Sequence, residues 1–326
     1  MDAPLFTLAC QAYDRMLPLR DGTVRLGGAR INFLDLPVEE TFLRMLKFHE
    51  FDIAEMSLSS YVLTLSRGAP FTAVPVFPSR AFRHSGIYVR TDSRITEPAE
   101  LGGRVVGVPE YQITAAVWIR GILAEHHGLA VNSVRYRTGG LDEPGRTEKL
   151  ALHLPPDVEA TEIGAGQTLS QMLLDGEVDA IYSARNPRRL HSGIRRLFAD
   201  PVEVERAYHS RTGIFPIMHV LVIRREVHEQ HRWLARELAK ACETAKALGM
   251  AGIEETAALP YALPWLWAEV DRTREALGAD WWPYGLEPNR TTLEAFLRYS
   301  HEQGLADKRY APEELFAPES LESVII

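Results

Sequence analysis

Residues 107–123, GVPEYQITAAVWIRGIL, change from a strand pattern to a helix pattern within a few positions. The polar residues Glu110, Tyr111 and Gln112 follow the apolar end of the strand, and a helix begins near Thr114. The first turn of a helix has backbone N–H groups without partners, and these groups favour an anion. This junction therefore predicts an α/β fold with an anion site where the strand ends.

The rest of the chain continues this alternation of strands and helices. LFTLAC, INFLDL and DIAEMS have strand patterns, and VEETFLRMLKFHEF at residues 38–51 has the pattern of an amphipathic helix. A second alternating unit ends with the strand DAIYSAR, and beyond residue 224 the chain is strongly helical. Such alternation is typical of mostly parallel sheets with flanking helices.

Two α/β units of similar size predict a two-lobed molecule with two crossover strands, near residues 85–92 and 214–224. We expect lobe 1 to comprise residues 1–88 and 217–326, including the C-terminal helices, and lobe 2 to comprise residues 89–216. Ligands in such folds bind between the lobes, where strands end and helices begin. The segment from Glu110 to Thr114 is therefore expected to face a cleft.

The composition argues against several classes of partner. A formal charge of -8 over 326 residues is unsuited to a nucleic-acid or anionic-membrane surface, and no apolar run reaches the roughly 18 residues that span a bilayer. The first fifteen residues lack the basic and apolar regions of a signal peptide. Cys10 and Cys242 are read more simply as reduced thiols than as a disulfide, so we expect a cytoplasmic protein.

Several segments together resemble the 4,5-dihydroxyphthalate decarboxylase family: LACQAYDR (residues 8–15), residues 36–61, VFPSRAFRHSGIYV (76–89), residues 107–123 and RTGIFPIMH (211–219). The resemblance covers nearly the whole chain and implies a type II periplasmic-binding-protein-like fold. It also implies a cofactor-independent, non-oxidative decarboxylation of a dihydroxylated aromatic diacid. The expected reaction converts 4,5-dihydroxyphthalate to 3,4-dihydroxybenzoate and carbon dioxide, so the expected partner is a small aromatic carboxylate.

Such a reaction needs a proton donor beside the ring carbon that loses carbon dioxide, and cations for the carboxylate that stays bound. Arg80 and His84, in PSRAFRHS just before the first crossover, are candidates for carboxylate binding and for proton donation. Surface charge beside an interlobe strand is the alternative role for both.

The junction after the second-lobe strand offers further candidates. The amides and hydroxyl of Thr114 are suited to a carboxylate, Glu110 is the alternate proton donor, and Tyr111 and Gln112 are assigned to substrate binding. Helix capping alone would also explain Thr114 and Glu110.

His219, on the second crossover strand, is the third catalytic candidate and ranks below His84. A lone histidine in an apolar run is more often a satisfied interior residue than a catalyst. The remaining expected substrate-binding residues follow predicted strands: Asp14, Arg15, Ser59, Ser60 and Arg185. Capping is the alternative role for the two serines, and simple exposure is the alternative for Arg185.

We predict no metal and no other cofactor. His126 and His127 diverge by about 100° on a helix, and His228 and His231 are one residue short of the zinc-protease spacing.

Two further questions stay open at the level of sequence. The aromatic cluster WWPYG at residues 281–285 would close over a substrate, pack the C-terminal helices, or form a contact in a homo-oligomer. The alternative function is that of a solute-binding protein for an aromatic or dicarboxylic acid without catalysis. A sister enzyme acting on another carboxylated ring is a third interpretation.

Overall fold

The computed structural model describes residues 3–68 and 70–321. Its strands, in chain order, are β1 (Leu5–Ala9), β2 (Arg30–Leu34), β3 (Ile53–Ser57), β4 (Phe71–Arg80), β5 (Ile87–Arg90), β6 (Val105–Val108), β7 (Arg135–Thr138), β8 (Ala160–Glu162), β9 (Ala180–Tyr182), β10 (Ile194–Arg196) and β11 (Ile217–Arg224). Its α-helices are α1 (Leu17–Arg20), α2 (Val38–Phe48), α3 (Leu58–Leu65), α4 (Thr114–His127), α5 (Leu169–Asp175), α6 (Pro201–Thr212), α7 (Arg225–Gln230), α8 (Trp233–Ile253), α9 (Leu266–Leu277) and α10 (Arg290–Glu302).

The strands form two mixed sheets. The first has five strands in the order β2-β1-β3-β11-β4, and the second has six in the order β10-β5-β9-β6-β7-β8. β11 returns to the first sheet after the whole second sheet and runs antiparallel to both β3 and β4. The β1–β2, β1–β3, β6–β7, β6–β9 and β7–β8 pairs are parallel. The β5–β9 and β5–β10 pairs are antiparallel, so both sheets are mixed, within the predicted α/β class.

The opening stretch folds as its pattern predicts. β6 ends at Val108, α4 begins at Thr114, and Gly128 ends the helix in the left-handed conformation at φ 66°, which glycine adopts without steric cost. The first ten residues of α4 are buried. A Cβ on Gly121 would lie 2.2 Å from the Tyr299 ring, so this position needs glycine for α4 and α10 to pack closely.

α4 also connects the two sheets. The indole N–H of Trp118 donates a hydrogen bond of 2.9 Å to the carbonyl of Ile217, the first residue of β11. Trp118 is fully buried and packs edge-on against Tyr299. The start of α4 is therefore held against the strand that follows the second crossover.

The aromatic cluster at residues 281–285 packs within the chain. Trp281 and Tyr284 are buried, and the indole N–H of Trp282 donates to the carbonyl of Phe77 in β4. No helix within residues 3–68 and 70–321 is both long and apolar enough to cross a bilayer. Cys10 and Cys242 are buried free thiols.

Candidate active site

A cavity of about 230 Å³ lies where strands of both sheets end and helices begin. Ser57 ends β3, Pro109 follows β6, Ser183 follows β9, and His219 lies in β11. The polar and charged lining residues are Glu39, Ser57, Ser60, Arg83, Thr114, Arg146, Lys149, Ser183, Arg185 and His219. The apolar lining residues are Val38, Phe42, Pro109, Ile113, Ala115, Leu141, Ala184 and Met218.

Two helix N-termini meet at one wall of this cavity. Ser57 caps α3 by accepting a hydrogen bond from the Ser60 amide. The hydroxyl oxygen of Thr114, in the first turn of α4, lies 2.9 Å from the Ser57 hydroxyl oxygen and accepts from the Ser59 amide at 3.1 Å. Because helix N-termini carry partial positive charge, this wall favours a bound anion.

His219 faces the cavity with a fixed orientation. Its Nδ1 lies 2.6 Å from Oε1 of Glu55, a fully buried carboxyl on the neighbouring strand β3. The ring of Phe42 packs edge-on against the imidazole at 4.9 Å. With Nδ1 engaged by Glu55, Nε2 is the ring nitrogen left for a ligand.

Glu55 is held as a carboxylate. Burial by itself raises its pKa, but the charge of His219 and hydrogen bonds from His219, the Tyr13 hydroxyl and the Gln11 amide lower the pKa below its usual value overall. The Tyr13 hydroxyl donates at 2.7 Å, and burial together with Glu55 raises the pKa of Tyr13 far above normal. Since Glu55 is an acceptor, Nδ1 of His219 carries the proton in this hydrogen bond.

A pair of cations lies on the loop after β7. Arg146 and Lys149 both bind Oε1 of Glu110, with Arg146 at 2.7 Å. Nearby Glu148 accepts a hydrogen bond from the Tyr111 amide. Burial and the charge of Glu110 raise the pKa of Glu148 to about 7. Glu110 is buried and does not line the cavity, but it binds two cations that do.

Two further arginines complete the lining. The Arg185 guanidinium pairs with the Glu39 carboxylate through contacts of 2.7 Å to both oxygens, linking the end of β9 with the first turn of α2. Arg83 donates to the thioether of Met218 at 3.0 Å and to the carbonyl of Ala184 at 3.5 Å. Four cationic side chains of the described residues thus line the cavity. The overall charge of -8 does not predict this local concentration of positive charge.

The structure places Arg80 outside this cavity. Its guanidinium is buried and donates to the carbonyls of Phe215 and Pro283 and to the side chain of Asn289. Burial lowers the pKa of Arg80 to about 9. Arg80 does not line this cavity, and neutral acceptors engage its donors, so its expected contact with a substrate carboxylate stays a prediction that this geometry does not favour.

His84 is also directed away from the cavity. It is buried among the rings of His127, Phe198 and Tyr208. Burial and the neighbouring charges lower the pKa of His84 to about 4. A neutral imidazole that does not line the cavity is poorly suited to donate a proton there, so the geometry favours His219 over His84 as the donor.

Other expected site residues have structural contacts. Tyr111 is buried beneath the Arg120 guanidinium at 3.8 Å. Arg15 lies between the rings of Tyr13 and Trp282 and bonds the carbonyl of Pro78. The remaining expected residues outside the lining are Asp14, which pairs with Arg15, and the buried residues Ser59, Glu110 and Gln112.

Of the expected residues, the cavity brings together Ser60, Thr114, Arg185 and His219. Sequence reasoning missed Glu55, although a carboxylate in the middle of the apolar strand β3 was a usable signal, because buried charges need partners. Arg146 and Lys149 gave no comparable signal, since they lie on a loop without regular periodicity. Among the described residues, no group of three or more His, Cys, Asp or Glu side chains is arranged to hold a metal ion.

The fold places the chain among binding-protein-like α/β structures. It matches the periplasmic aliphatic sulphonate binding protein SsuA of Escherichia coli with a TM-score of 0.54 at 15% identity, over 97% of this chain and 98% of that chain. A second match is the sulfonate-binding protein SsuA of Methylobacillus flagellatus, with a TM-score of 0.53 at 12% identity, over 97% and 92% of the two chains. At these identities the likeness concerns the fold, and it confirms the predicted fold class.

Sequence comparison identifies the family. The chain is 41% identical over 321 residues to the 4,5-dihydroxyphthalate decarboxylase of Comamonas testosteroni, covering 97% of both chains. It is 44% identical over 199 residues to the enzyme of the same name from Pseudomonas putida, covering 60% of this chain and 77% of the relative. No family model matches the chain. The protein belongs to the 4,5-dihydroxyphthalate decarboxylase family.

Proposed function

We propose that the protein removes one carboxylate from 4,5-dihydroxyphthalate and yields 3,4-dihydroxybenzoate and carbon dioxide. Membership of the decarboxylase family supports the reaction. The observation that carries the assignment to this cavity is the Glu55–His219 pair, which directs one imidazole nitrogen towards a space surrounded by cations. Such a site combines a proton donor with binding groups for a dianion.

The charge of the lining fits the substrate. A phthalate carries two carboxylates at neutral pH, and the cavity offers the guanidinium and ammonium groups of Arg83, Arg146, Lys149 and Arg185. The N-termini of α3 and α4 add backbone amides at another wall. The apolar side chains of Phe42, Leu141 and Met218 would contact the faces of the ring.

The reaction requires transfer of one proton to carbon. In the substrate each carboxylate is para to a hydroxyl, whose oxygen donates electrons into the ring and stabilises the cation formed by protonation. The imidazolium of His219 gives its Nε2 proton to the ring carbon that bears the leaving carboxylate. The bond between that carbon and the carboxylate then breaks, its electron pair restores the aromatic ring, and carbon dioxide departs. His219 regains a proton from water.

Glu55 supports this step without touching the substrate. Its carboxylate accepts the Nδ1 proton, fixes the plane of the imidazole and stabilises the positive charge that His219 carries before it donates. The hydroxyl of Tyr13 holds Glu55 in place.

The test is direct turnover. Purified protein is incubated with 4,5-dihydroxyphthalate in deuterated water, and carbon dioxide and 3,4-dihydroxybenzoate are measured. We expect equal amounts of both products, with one deuterium at the ring carbon that lost carbon dioxide. His219→Gln should lower kcat by about 10²- to 10⁴-fold, the usual contribution of a general acid. The matched control is His153→Gln at an exposed position outside the cavity.

The result also separates the proposed function from its rivals. Tight binding of the substrate without release of carbon dioxide would support a solute-binding protein instead. Turnover of a different hydroxylated ring acid at a higher kcat/KM would support a sister enzyme.

We also propose that the protein acts in the cytoplasm. Two buried cysteines remain free thiols, which fits a reducing compartment.

A further inference from the structure

The four cations of the cavity differ in their partners. Arg146 and Lys149 share the carboxylate of Glu110, and Arg185 pairs with Glu39. Each of these three charges is therefore at least partly neutralised before any ligand arrives.

Arg83 differs from the other three cations, because it forms no ion pair with any residue that the structure describes. Its hydrogen bonds go to neutral acceptors, the Met218 sulfur and the Ala184 carbonyl. The nearby carboxyl of Glu205 accepts from the Ser85 amide at 2.9 Å, and its charge acts on Arg83 without forming an ion-pair contact. Loss of hydration lowers the pKa of Arg83 to about 10, so the guanidinium stays positively charged near pH 7.

An unpaired cation at a partly dehydrated position attracts a carboxylate more strongly than a cation that already has a partner. The two carboxylates of the proposed substrate have different needs. A strong ion pair with the leaving carboxylate stabilises the reactant and is lost when neutral carbon dioxide forms, so it raises the barrier. An ion pair with the retained carboxylate persists throughout and costs nothing in rate.

We propose that Arg83 binds the carboxylate that remains on the ring and thereby directs the other carboxylate towards His219. This assignment rests on the proposed function. Its location supports it, because Arg83 bonds Met218, the residue next to His219 in β11. The same binding mode makes Arg83 a specificity residue for ring acids with a second carboxylate beside the reacting carbon.

The product provides the discriminating probe, because 3,4-dihydroxybenzoate carries only the retained carboxylate. We expect Arg83→Met to raise the KM for 4,5-dihydroxyphthalate and the Kd for 3,4-dihydroxybenzoate by similar factors, each about tenfold or more. Benzene-1,2-diol has no carboxylate, so its Kd should be the same for the variant and the wild type. That equality also reports that the cavity is still folded. Steady-state kinetics measure the KM, and titration calorimetry measures the Kd of 3,4-dihydroxybenzoate and of benzene-1,2-diol.

Arg188→Met is the matched control, because Arg188 is exposed, pairs with Glu143 and does not line the cavity. It should change neither constant. A variant Arg83→Met with weaker substrate binding and unchanged product binding would show that Arg83 holds the leaving carboxylate, and the proposal would be wrong.

The two proposals fail separately. If the wild type releases no carbon dioxide, the proposed function is wrong, but the effect of Arg83→Met on binding of 3,4-dihydroxybenzoate still tests the role of Arg83. Equal binding of this acid by wild type and variant, or no binding by either, overturns the proposal that Arg83 binds the retained carboxylate, whatever the turnover.

Discussion

Oε1 of Glu55 lies 2.6 Å from Nδ1 of His219, although 164 positions separate the two residues in the chain. They meet because β3 and β11 are antiparallel neighbours in the first sheet. The strand that returns after the second sheet therefore brings an imidazole beside a buried carboxylate. Neither residue alone fixes which ring nitrogen of His219 faces a ligand, so the orientation of the imidazole depends on this pairing of strands.

Glu55→Gln tests this relationship. The amide keeps the size of the carboxyl but loses the charge that accepts the Nδ1 proton and stabilises positive charge on the imidazole. We expect kcat to fall by about 10- to 100-fold. Steady-state kinetics measure this change, and KM should change little because Glu55 does not line the cavity.

Tyr13→Phe is the matched comparison, since it removes one hydrogen bond to Glu55 but keeps the charge. The rate should fall less than in Glu55→Gln, by about fivefold. A Glu55→Gln enzyme with an unchanged kcat would contradict a role for Glu55 in proton transfer by His219.

Glu39 places a negative charge in the lining of the cavity that we propose binds a dianion. Its pairing with Arg185 is partly exposed, and such pairs contribute about 1 kcal/mol or less. Glu39→Gln should therefore lower the KM for the substrate by about two- to fivefold while the melting temperature changes little. Steady-state kinetics at low and high salt measure the effect, which should shrink as salt screens it.

Glu40→Gln is the control at the adjacent position, because Glu40 pairs with Arg44 and does not line the cavity. An increase of KM in Glu39→Gln would show instead that the ion pair holds Arg185 in its binding position.

The fold was predictable because its signals are local. Alternating strands and helices, the helix start at Thr114 and the glycine stop at Gly128 follow from the period of apolar residues and from backbone conformation. The return of β11 to the first sheet agrees with the second crossover expected near residues 214–224. These features need no knowledge of side-chain direction.

The site was less predictable because it depends on which way side chains point. Arg80 and Arg83 are three positions apart, yet only Arg83 lines the cavity. His84 directly follows Arg83 and is directed into a cluster of rings instead. The cationic segment lies beside the cavity, but neighbouring side chains of one segment face different surroundings, and a single sequence does not distinguish them.

The burial of His84 gives the protein a specific sensitivity to acid. Its usual pKa of 6.5 is lowered to about 4 in the folded state by burial and by the charges of His127, His126 and Arg211. The unfolded chain therefore binds this proton from about pH 6.5 downwards, while the folded chain does so only near pH 4. The contribution to stability is complete above pH 6.5 and is lost as the pH falls towards 4.

The expected loss from His84 is about 3 kcal/mol across this range. Urea unfolding at pH 7.0 and 4.5 measures it for the wild type and for His84→Phe, which keeps a ring but cannot bind a proton. The phenylalanine variant should lose less stability on acidification, whereas the exposed control His153→Gln should behave like the wild type. Equal acid sensitivity of His84→Phe and wild type would exclude His84 as the source.

Arg80 should matter for stability rather than for substrate binding. Arg80→Met removes the donors for the carbonyls of Phe215 and Pro283 and for the side chain of Asn289. Leaving buried acceptors without donors costs about 1–3 kcal/mol, so urea unfolding should show a loss of this size. Because the guanidinium does not line the cavity, the KM of the folded variant should stay within about twofold of the wild type, less than a lost charged contact would cause.

Arg104→Met, at an exposed position, controls for loss of a charge. A stable Arg80→Met protein with a strongly raised KM would return Arg80 to the substrate-binding site.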